Sequence, residues 1–335
     1  MSEKDSMVIL GISDQCNFNC LFCLDKNWKG KGFVPLDHIK KLFFDIADGG
    51  QNRVMLMRGE SLIRKDIFDV LDAARQNALK VCITTNGSML SYYPFLKKLI
   101  QHGVVRIHVS VHSHIPKIAN AIARHKACHG LQKKALENID LFFARQKKSG
   151  LRMPLRIQIN TVVCRLNYQH LDTLVQYLKR TLRHTPFEIK FKAMILDPCD
   201  GDLARRLVVP FKQIRPFLLR AVRLMGRSRV RCCSFPLCVL SPYERINTEL
   251  QESQRMGCYY LDGVKAKDTR MFDAVARQEF TRYRACGRCS LASLCVGVHR
   301  SYAHFFPRFD LKTSCRDPKK ILAAVRTGSD AQMVD

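Results

Sequence analysis

The sequence predicts an α/β fold: a partial (βα)6 TIM-like barrel followed by a C-terminal cysteine-rich module. Apolar runs alternate with amphipathic helical segments over the first 200 of 335 residues. Most chemistry-bearing motifs directly follow the predicted strands. Eight of the fifteen cysteines lie after residue 230, where regular periodicity is lost. We therefore predict two domains, with the barrel at residues 1–200 and the second module at residues 201–335.

The predicted strands and helices alternate along the chain. Strands are predicted at residues 7–13, 53–57, 80–84, 105–111, 155–163 and 187–195. Helices are predicted to begin near residues 35, 66, 92, 131, 170 and 210. Strands joined through helices pair in parallel by right-handed crossovers. Sites in barrels of this kind lie at the carboxyl ends of the strands.

Three cysteines follow the first predicted strand. Cys16, Cys20 and Cys23 have the spacing CxxxCxxC. Three thiolates on one short loop can bind three irons of a four-iron cluster and leave the fourth iron open to a small molecule. A structural zinc loop is the alternative, but zinc takes four ligands and no nearby Cys or His supplies the fourth.

The bulk composition restricts the environment and the partners. A formal charge of +27 is compatible with nucleic acid, an acidic peptide or an anionic surface, although its even spread is typical of a solvated surface. There is no apolar run of about eighteen residues and no secretory signal. We expect a cytoplasmic protein with no membrane partner, whose cysteines are metal ligands before they are disulfides.

The CxxxCxxC spacing, with Phe22 directly before the third cysteine, resembles the signature of the radical S-adenosylmethionine (radical SAM) enzymes. The resemblance implies a 4Fe-4S cluster that binds S-adenosylmethionine (SAM). It implies reductive cleavage of SAM to a 5′-deoxyadenosyl radical, which abstracts a hydrogen from the substrate. It also implies a one-electron reductant such as flavodoxin or ferredoxin. No general base can be named.

The resemblance also implies residues that bind the cofactor. Arg58-Gly59-Glu60-Ser61 stands where the family has Gly-Gly-Glu-Pro, so Gly59 and Glu60 are retained for the amino group of SAM. Arg58 and Ser61 depart from the pattern, and an Arg58 guanidinium would either disturb the pocket or meet an anion. Thr85-Asn86-Gly87 matches the strand-three ending, where Asn86 either caps the turn or touches the cofactor.

Three further positions correspond to cofactor contacts of the family. Ser110 and Asn160 match polar positions within strands four and five, and Phe22 is expected near the adenine. Each has a structural alternative, since Ser110 and Asn160 can be satisfied core polar groups and Phe22 can pack under the loop.

The C-terminal cysteines form a second motif. Cys286, Cys289 and Cys295 resemble the auxiliary-cluster segment of the SPASM and twitch extensions of radical SAM enzymes. Cys238 is the preferred fourth ligand of a second 4Fe-4S cluster, and Cys315 is its rival. A zinc knuckle is the alternative. The roles of the remaining nearby candidates stay open: Cys232, Cys233, Cys258 and His299.

Three functions are compatible with these motifs. The favoured one is a radical SAM enzyme that modifies a peptide or protein. The second is a radical SAM enzyme that acts on RNA or on a small metabolite. The third is a non-catalytic iron–sulfur or zinc protein, which the departures at Arg58 and Ser61 motivate.

Overall fold

A computed structural model describes residues 7–24, 32–150, 154–195, 201–255, 258–262, 265–271, 278–308 and 312–326, with the backbone alone between residues 252 and 277. The chain divides into two compact units. Unit 1 comprises Met1–Asn160, Tyr177–Glu188 and Met256–Phe272, and unit 2 comprises Thr161–Gln176, Ile189–Arg255 and Asp273–Asp335. The predicted boundary at residue 200 between two functional modules stays a prediction.

The strands and helices have the following bounds. The strands are β1 (Met7–Gly11), β2 (Arg53–Met57), β3 (Lys80–Thr85), β4 (Val104–Ser110), β5 (Arg156–Val163), β6 (Phe187–Ala193), β7 (Val230–Cys233), β8 (Cys258–Asp262), β9 (Lys265–Met271), β10 (Phe280–Thr281) and β11 (Val298–His299). The helices are α1 (Leu36–Asp48), α2 (Ile67–Gln76), α3 (Tyr93–Gln101), α4 (Pro116–Ala123), α5 (Cys128–Ser149), α6 (Leu171–Thr181), α7 (Gly201–Leu207), α8 (Phe211–Met225), α9 (Leu237–Leu240), α10 (Thr248–Arg255), α11 (Arg300–Phe305) and α12 (Pro318–Arg326).

Unit 1 contains a sheet in which β1 to β5 pair in chain order and in parallel. The middle residues of β1 and β2 are buried, as expected for parallel strands covered on both faces. On the other side of β1, β8 pairs in parallel and β9 returns antiparallel to it. This β8–β9 hairpin was not predicted from the sequence.

In unit 2, β6 and β7 pair in parallel, with Ile189 opposite Val230. Because β7 contains Cys232 and Cys233, regular structure continues past the point where the sequence analysis expected it to end. Parallel strands separated by helices confirm the predicted α/β class, with two more parallel strands than predicted, β7 and β8. Within the described residues, none of the helices combines the length and hydropathy that a membrane crossing requires.

The connection between β4 and β5 contains two helices where the sequence predicted one. Arg124, the residue directly after α4, adopts a left-handed conformation with φ of 47°. Gly150, the residue directly after α5, has φ of 69°, as expected for a glycine at a helix C-terminus. Helix α4 is only 8 residues long, which explains why periodicity alone did not reveal it.

Arg64 fixes the exit of β1. Its Nη1 donates hydrogen bonds to the carbonyls of Ile12 and Val34, both at 2.9 Å. Its Nε and Nη2 donate to the carboxylate of Asp66 at 3.0 and 2.8 Å. One buried guanidinium therefore ties together the end of β1, the segment before α1 and the start of α2.

We expect Arg64→Met to lower the free energy of unfolding by about 2 to 4 kcal/mol, because two buried carbonyls and Asp66 lose their donors. Urea denaturation measures the change. Arg75→Met is the matched control, because the Arg75 side chain is 67% exposed and pairs with Asp72 on one helix. Its expected cost is within about 0.5 kcal/mol. Equal losses in the two variants would contradict the role of Arg64.

Candidate active site

The cysteine loop follows β1 and is anchored by α4. The backbone amides of Asn19 and Leu21 donate to the carbonyls of Ala123 and Ile122, at 3.0 and 2.9 Å. Within the loop, the amide of Cys23 donates to the carbonyl of Cys20 at 3.1 Å. Cys16 is exposed, whereas Cys20 and Cys23 are half-buried. The three thiols thus belong to one short loop that an unpredicted helix fixes in place.

The segment after β2 packs backbone to backbone against this loop. Gly59 has φ of 55°, and a Cβ there would collide with the carbonyl oxygens of Gln15 and Ser13, the latter at 2.8 Å. The amide of Glu60 donates to the carbonyl of Gln15 at 2.7 Å. This close approach requires glycine at position 59.

Arg58 adopts a backbone conformation that glycine favours, with φ of 78°. Its Nε lies 3.3 Å from a carboxylate oxygen of Asp14, and both side chains are largely buried. The guanidinium that the sequence analysis flagged as a departure therefore forms an ion pair beside the cysteine loop.

Glu60 is completely buried and accepts three hydrogen bonds. Its Oε1 accepts from the hydroxyl of Thr85 at 2.8 Å and from the amide of Leu62 at 3.2 Å, and its Oε2 accepts from the amide of Asn86 at 2.6 Å. Burial raises the pKa of Glu60 to about 7, although the three donors act in the opposite direction. The carboxylate therefore joins the ends of β2 and β3. Its predicted contact with SAM stays a prediction.

Asn86 caps the turn after β3 and also contacts the cysteine loop, whereas its predicted contact with the cofactor stays a prediction. Its side-chain oxygen caps the turn by accepting from the amide of Ser88 at 2.8 Å. Its side-chain nitrogen donates to Asn17 Oδ1 at 2.7 Å and to the sulfur of Cys16 at 3.7 Å. The end of β3 thus contacts a predicted cluster ligand directly.

The other predicted cofactor residues are half-buried in unit 1. Ser110 and Asn160 are register partners on β4 and β5 and so lie side by side. Asn160 Oδ1 accepts from Gln158 Nε2 at 2.8 Å. The ring of Phe22 contacts that of His112 edge to face, with centroids 4.9 Å apart. Sequence reasoning missed His112, which follows β4 and has no family motif to mark it.

In unit 2, the four cysteines predicted as auxiliary ligands line one cavity. Cys238 lies in α9, and the other three lie on the segment between β10 and β11: Cys286, Cys289 and Cys295. Burial and the three neighbouring thiols raise the pKa of Cys238 to about 12. Cys315, the rival ligand, is exposed and is not among the described residues that line this cavity.

The remaining candidates lie elsewhere. Cys232 is fully buried in β7, and the thiol of Cys233 donates to Glu249 Oε1 at 3.3 Å. Cys258 lies in β8 of unit 1. His299 caps α11, since its Nδ1 accepts from the amide of Ser301 at 3.2 Å. The contact between Cys233 and Glu249 was not anticipated, because no sequence spacing joins the two residues.

The family of this chain follows from its sequence and agrees with its fold. A family model of the Radical SAM superfamily matches residues 10–178, which contain the end of β1, the cysteine loop and β2 to β5. The chain belongs to that superfamily and is a radical SAM enzyme. The non-catalytic alternative is therefore set aside. Membership implies a 4Fe-4S cluster and SAM as cofactors.

Solved structures share the fold over most of the chain. SuiB of Streptococcus suis bound to S-adenosylmethionine has a TM-score of 0.62 at 12% identity, covering 93% of this chain and 77% of SuiB. The native enzyme anSMEcpe with bound AdoMet and Kp18Cys peptide has a TM-score of 0.61 at 13% identity, covering 98% of each chain. These similarities confirm the partial barrel with a cysteine-rich C-terminal region.

Glu60→Gln should lower the free energy of unfolding by about 1 to 3 kcal/mol. The glutamine side chain offers one acceptor oxygen, instead of two, to the three surrounding hydrogen-bond donors. The difference from the wild type should also depend on pH. Since burial favours neutral Glu60, its stabilising contribution is complete below the usual pKa of a glutamate and is lost as the pH rises through about 7. The difference in free energy of unfolding between the wild type and Glu60→Gln should therefore become smaller from pH 5 to pH 8.

Anaerobic urea denaturation across that pH range measures the difference. Glu137→Gln is the matched control, since Glu137 is 44% exposed and pairs with Lys133 on α5. A wild-type advantage that stays constant from pH 5 to pH 8 would show that Glu60 is ionised throughout the range.

Proposed function

We propose that this radical SAM enzyme cleaves SAM reductively and modifies a peptide or protein. The observation that carries the proposal is the loop of Cys16, Cys20 and Cys23 at the end of β1, with the ends of β2 and β3 hydrogen-bonded to it. The chain lies in a superfamily whose model covers this whole arrangement.

The loop residues fit a 4Fe-4S cluster with one open iron. Three thiols supply three ligands, and cluster sulfurs are commonly stabilised by hydrogen bonds. The sulfur of Cys16 already accepts one from the amide of Phe18 at 3.4 Å, besides that from Asn86. When bound, the cluster and SAM supply one-electron cleavage and hydrogen abstraction.

We assign five residues to SAM. Gly59 and Glu60 present the backbone after β2 to the amino group, since the Glu60 carboxylate is already committed to Thr85, Leu62 and Asn86. Ser110 and Asn160 offer adjacent polar side chains to the ribose. Phe22 offers an apolar ring to the adenine. These residues orient the cofactor and exclude water from it.

The second cluster is assigned to Cys238, Cys286, Cys289 and Cys295. The support is that all four thiols line one cavity in unit 2. Burial raises the pKa values of Cys238 and Cys295, so their thiols are protonated without metal. Metal binding replaces those protons and gives the buried sulfurs a partner, as structural metal sites do.

A peptide substrate is supported by fold neighbours and by charge. SuiB has a solved structure bound to the precursor peptide SuiA, with a TM-score of 0.61 to this chain, and anSMEcpe has one with a bound peptide. A net charge of +27 suits an acidic peptide. The same charge favours RNA as the second candidate substrate. In either case a flavodoxin or ferredoxin is the expected reductant.

The proposal is tested by incubating anaerobically reconstituted, reduced enzyme with SAM and a short peptide encoded beside its gene. We expect 5′-deoxyadenosine and a changed peptide mass. Cys20→Ser should reduce 5′-deoxyadenosine to background, because a cluster ligand is lost, while Cys82→Ala, a buried residue of β3, retains it. Unchanged peptide mass despite SAM cleavage, with RNA retention that weakens as salt rises, would favour the RNA substrate.

Iron content tests the auxiliary cluster separately. We expect Cys238→Ser to lose about half of the iron bound by the wild type, because one of two clusters loses a ligand. Cys315→Ser should keep the full iron content. The reverse result would assign the fourth ligand to Cys315, and full iron in both variants would contradict the prediction that the auxiliary cluster requires a fourth cysteine.

A further inference from the structure

We infer that Asn86 is a positioning residue for the cluster, whose side-chain N–H raises the reduction potential through a hydrogen bond to the sulfur of Cys16. The inference rests on the proposed role of Cys16 as a cluster ligand. It concerns the end of β3, for which the sequence analysis left a cap and a cofactor contact as alternatives.

The partners of the Asn86 amide determine its orientation. The nitrogen donates to both Asn17 Oδ1 and Cys16 Sγ, and the oxygen accepts from the amide of Ser88. The reversed amide would place oxygen against oxygen at Asn17 and two donors against each other at Ser88. Asn17 is itself fixed, because its Nδ2 donates to the hydroxyl of Ser88 at 3.0 Å. The N–H toward sulfur is therefore required by the surrounding network.

The backbone of Asn86 is held from both sides. Its amide donates to buried Glu60 at 2.6 Å, and its carbonyl accepts from Gln132 Nε2 at 3.3 Å. Gly87 follows with φ of 85°, which turns the chain sharply. The backbone that carries the donor is thus held by Glu60 and Gln132, which are themselves buried. The position of the Asn86 donor therefore does not depend on its contact with the exposed Cys16 side chain.

A hydrogen bond to a ligand sulfur stabilises the more negatively charged state of a cluster. The reduced cluster carries one more negative charge than the oxidised cluster. Removal of the Asn86 donor should therefore lower the potential and make reduction harder. The Phe18 amide remains as the second donor, so the cluster should still assemble.

The experiment is a redox titration of the anaerobically reconstituted holoenzyme, followed by electron paramagnetic resonance on the signal that changes when SAM is added. Asn86→Ala removes the donor, and Asn86→Asp keeps an acceptor for Ser88 but replaces the donor with a negative charge. Asn77→Asp is the control, since it makes the same charge change at the end of α2, where its side chain bonds only the carbonyl of Ala73.

We expect the potential to fall in Asn86→Ala, to fall further in Asn86→Asp, and to stay at the wild-type value in Asn77→Asp. Iron content should be unchanged in all three. Wild-type potentials in both Asn86 variants would overturn the inference, as would loss of the cluster from both, which would make Asn86 a structural residue. A wild-type enzyme that binds iron but shows no SAM-sensitive signal would instead overturn the proposed function, and this inference with it.

Discussion

The buried carboxylate of Glu60 is the interaction on which the rest of the site depends. Burial of a carboxylate is costly unless hydrogen bonds compensate for the lost water. Here Thr85, Leu62 and Asn86 supply three of them. Through these bonds, one side chain holds the end of β2 against the end of β3. The backbone amide of Glu60 also donates to the cysteine loop, so this one residue connects three loops.

The two departures from the Gly-Gly-Glu-Pro pattern, Arg58 and Ser61, are accommodated next to Glu60. Arg58 accepts a left-handed backbone conformation, which is unfavourable for a residue with a Cβ, and its side chain pairs with Asp14. Ser61 is fully buried in the short turn that follows Glu60. The turn geometry thus survives without the usual glycine and proline, because backbone contacts at Gly59 and Glu60 maintain it.

The two groups of cysteines meet different physical constraints. Cys16, Cys20 and Cys23 lie on one short loop because of their local spacing. Cys238 joins Cys286, Cys289 and Cys295 only because the chain brings α9 to the segment between β10 and β11. In the proposed assignment, the thiols of each group gain a common partner when a cluster binds. The first group was readable from its spacing, whereas only the fold shows that Cys238 lines the same cavity as the other three cysteines.

The sequence by itself determined the α/β class, most of the parallel strands, the cysteine loop and the superfamily, because hydrophobic periodicity and ligand spacing are local properties. It did not reveal α4, β7 or the β8–β9 hairpin, whose patterns are short or whose partners are distant in sequence. Only the tertiary structure decided that Glu60 turns inward, that Arg58 pairs with Asp14, and that Asn86 donates to Cys16. Hydrogen bonds between residues far apart in the chain leave no periodic trace in the sequence, so their geometry appears only after folding.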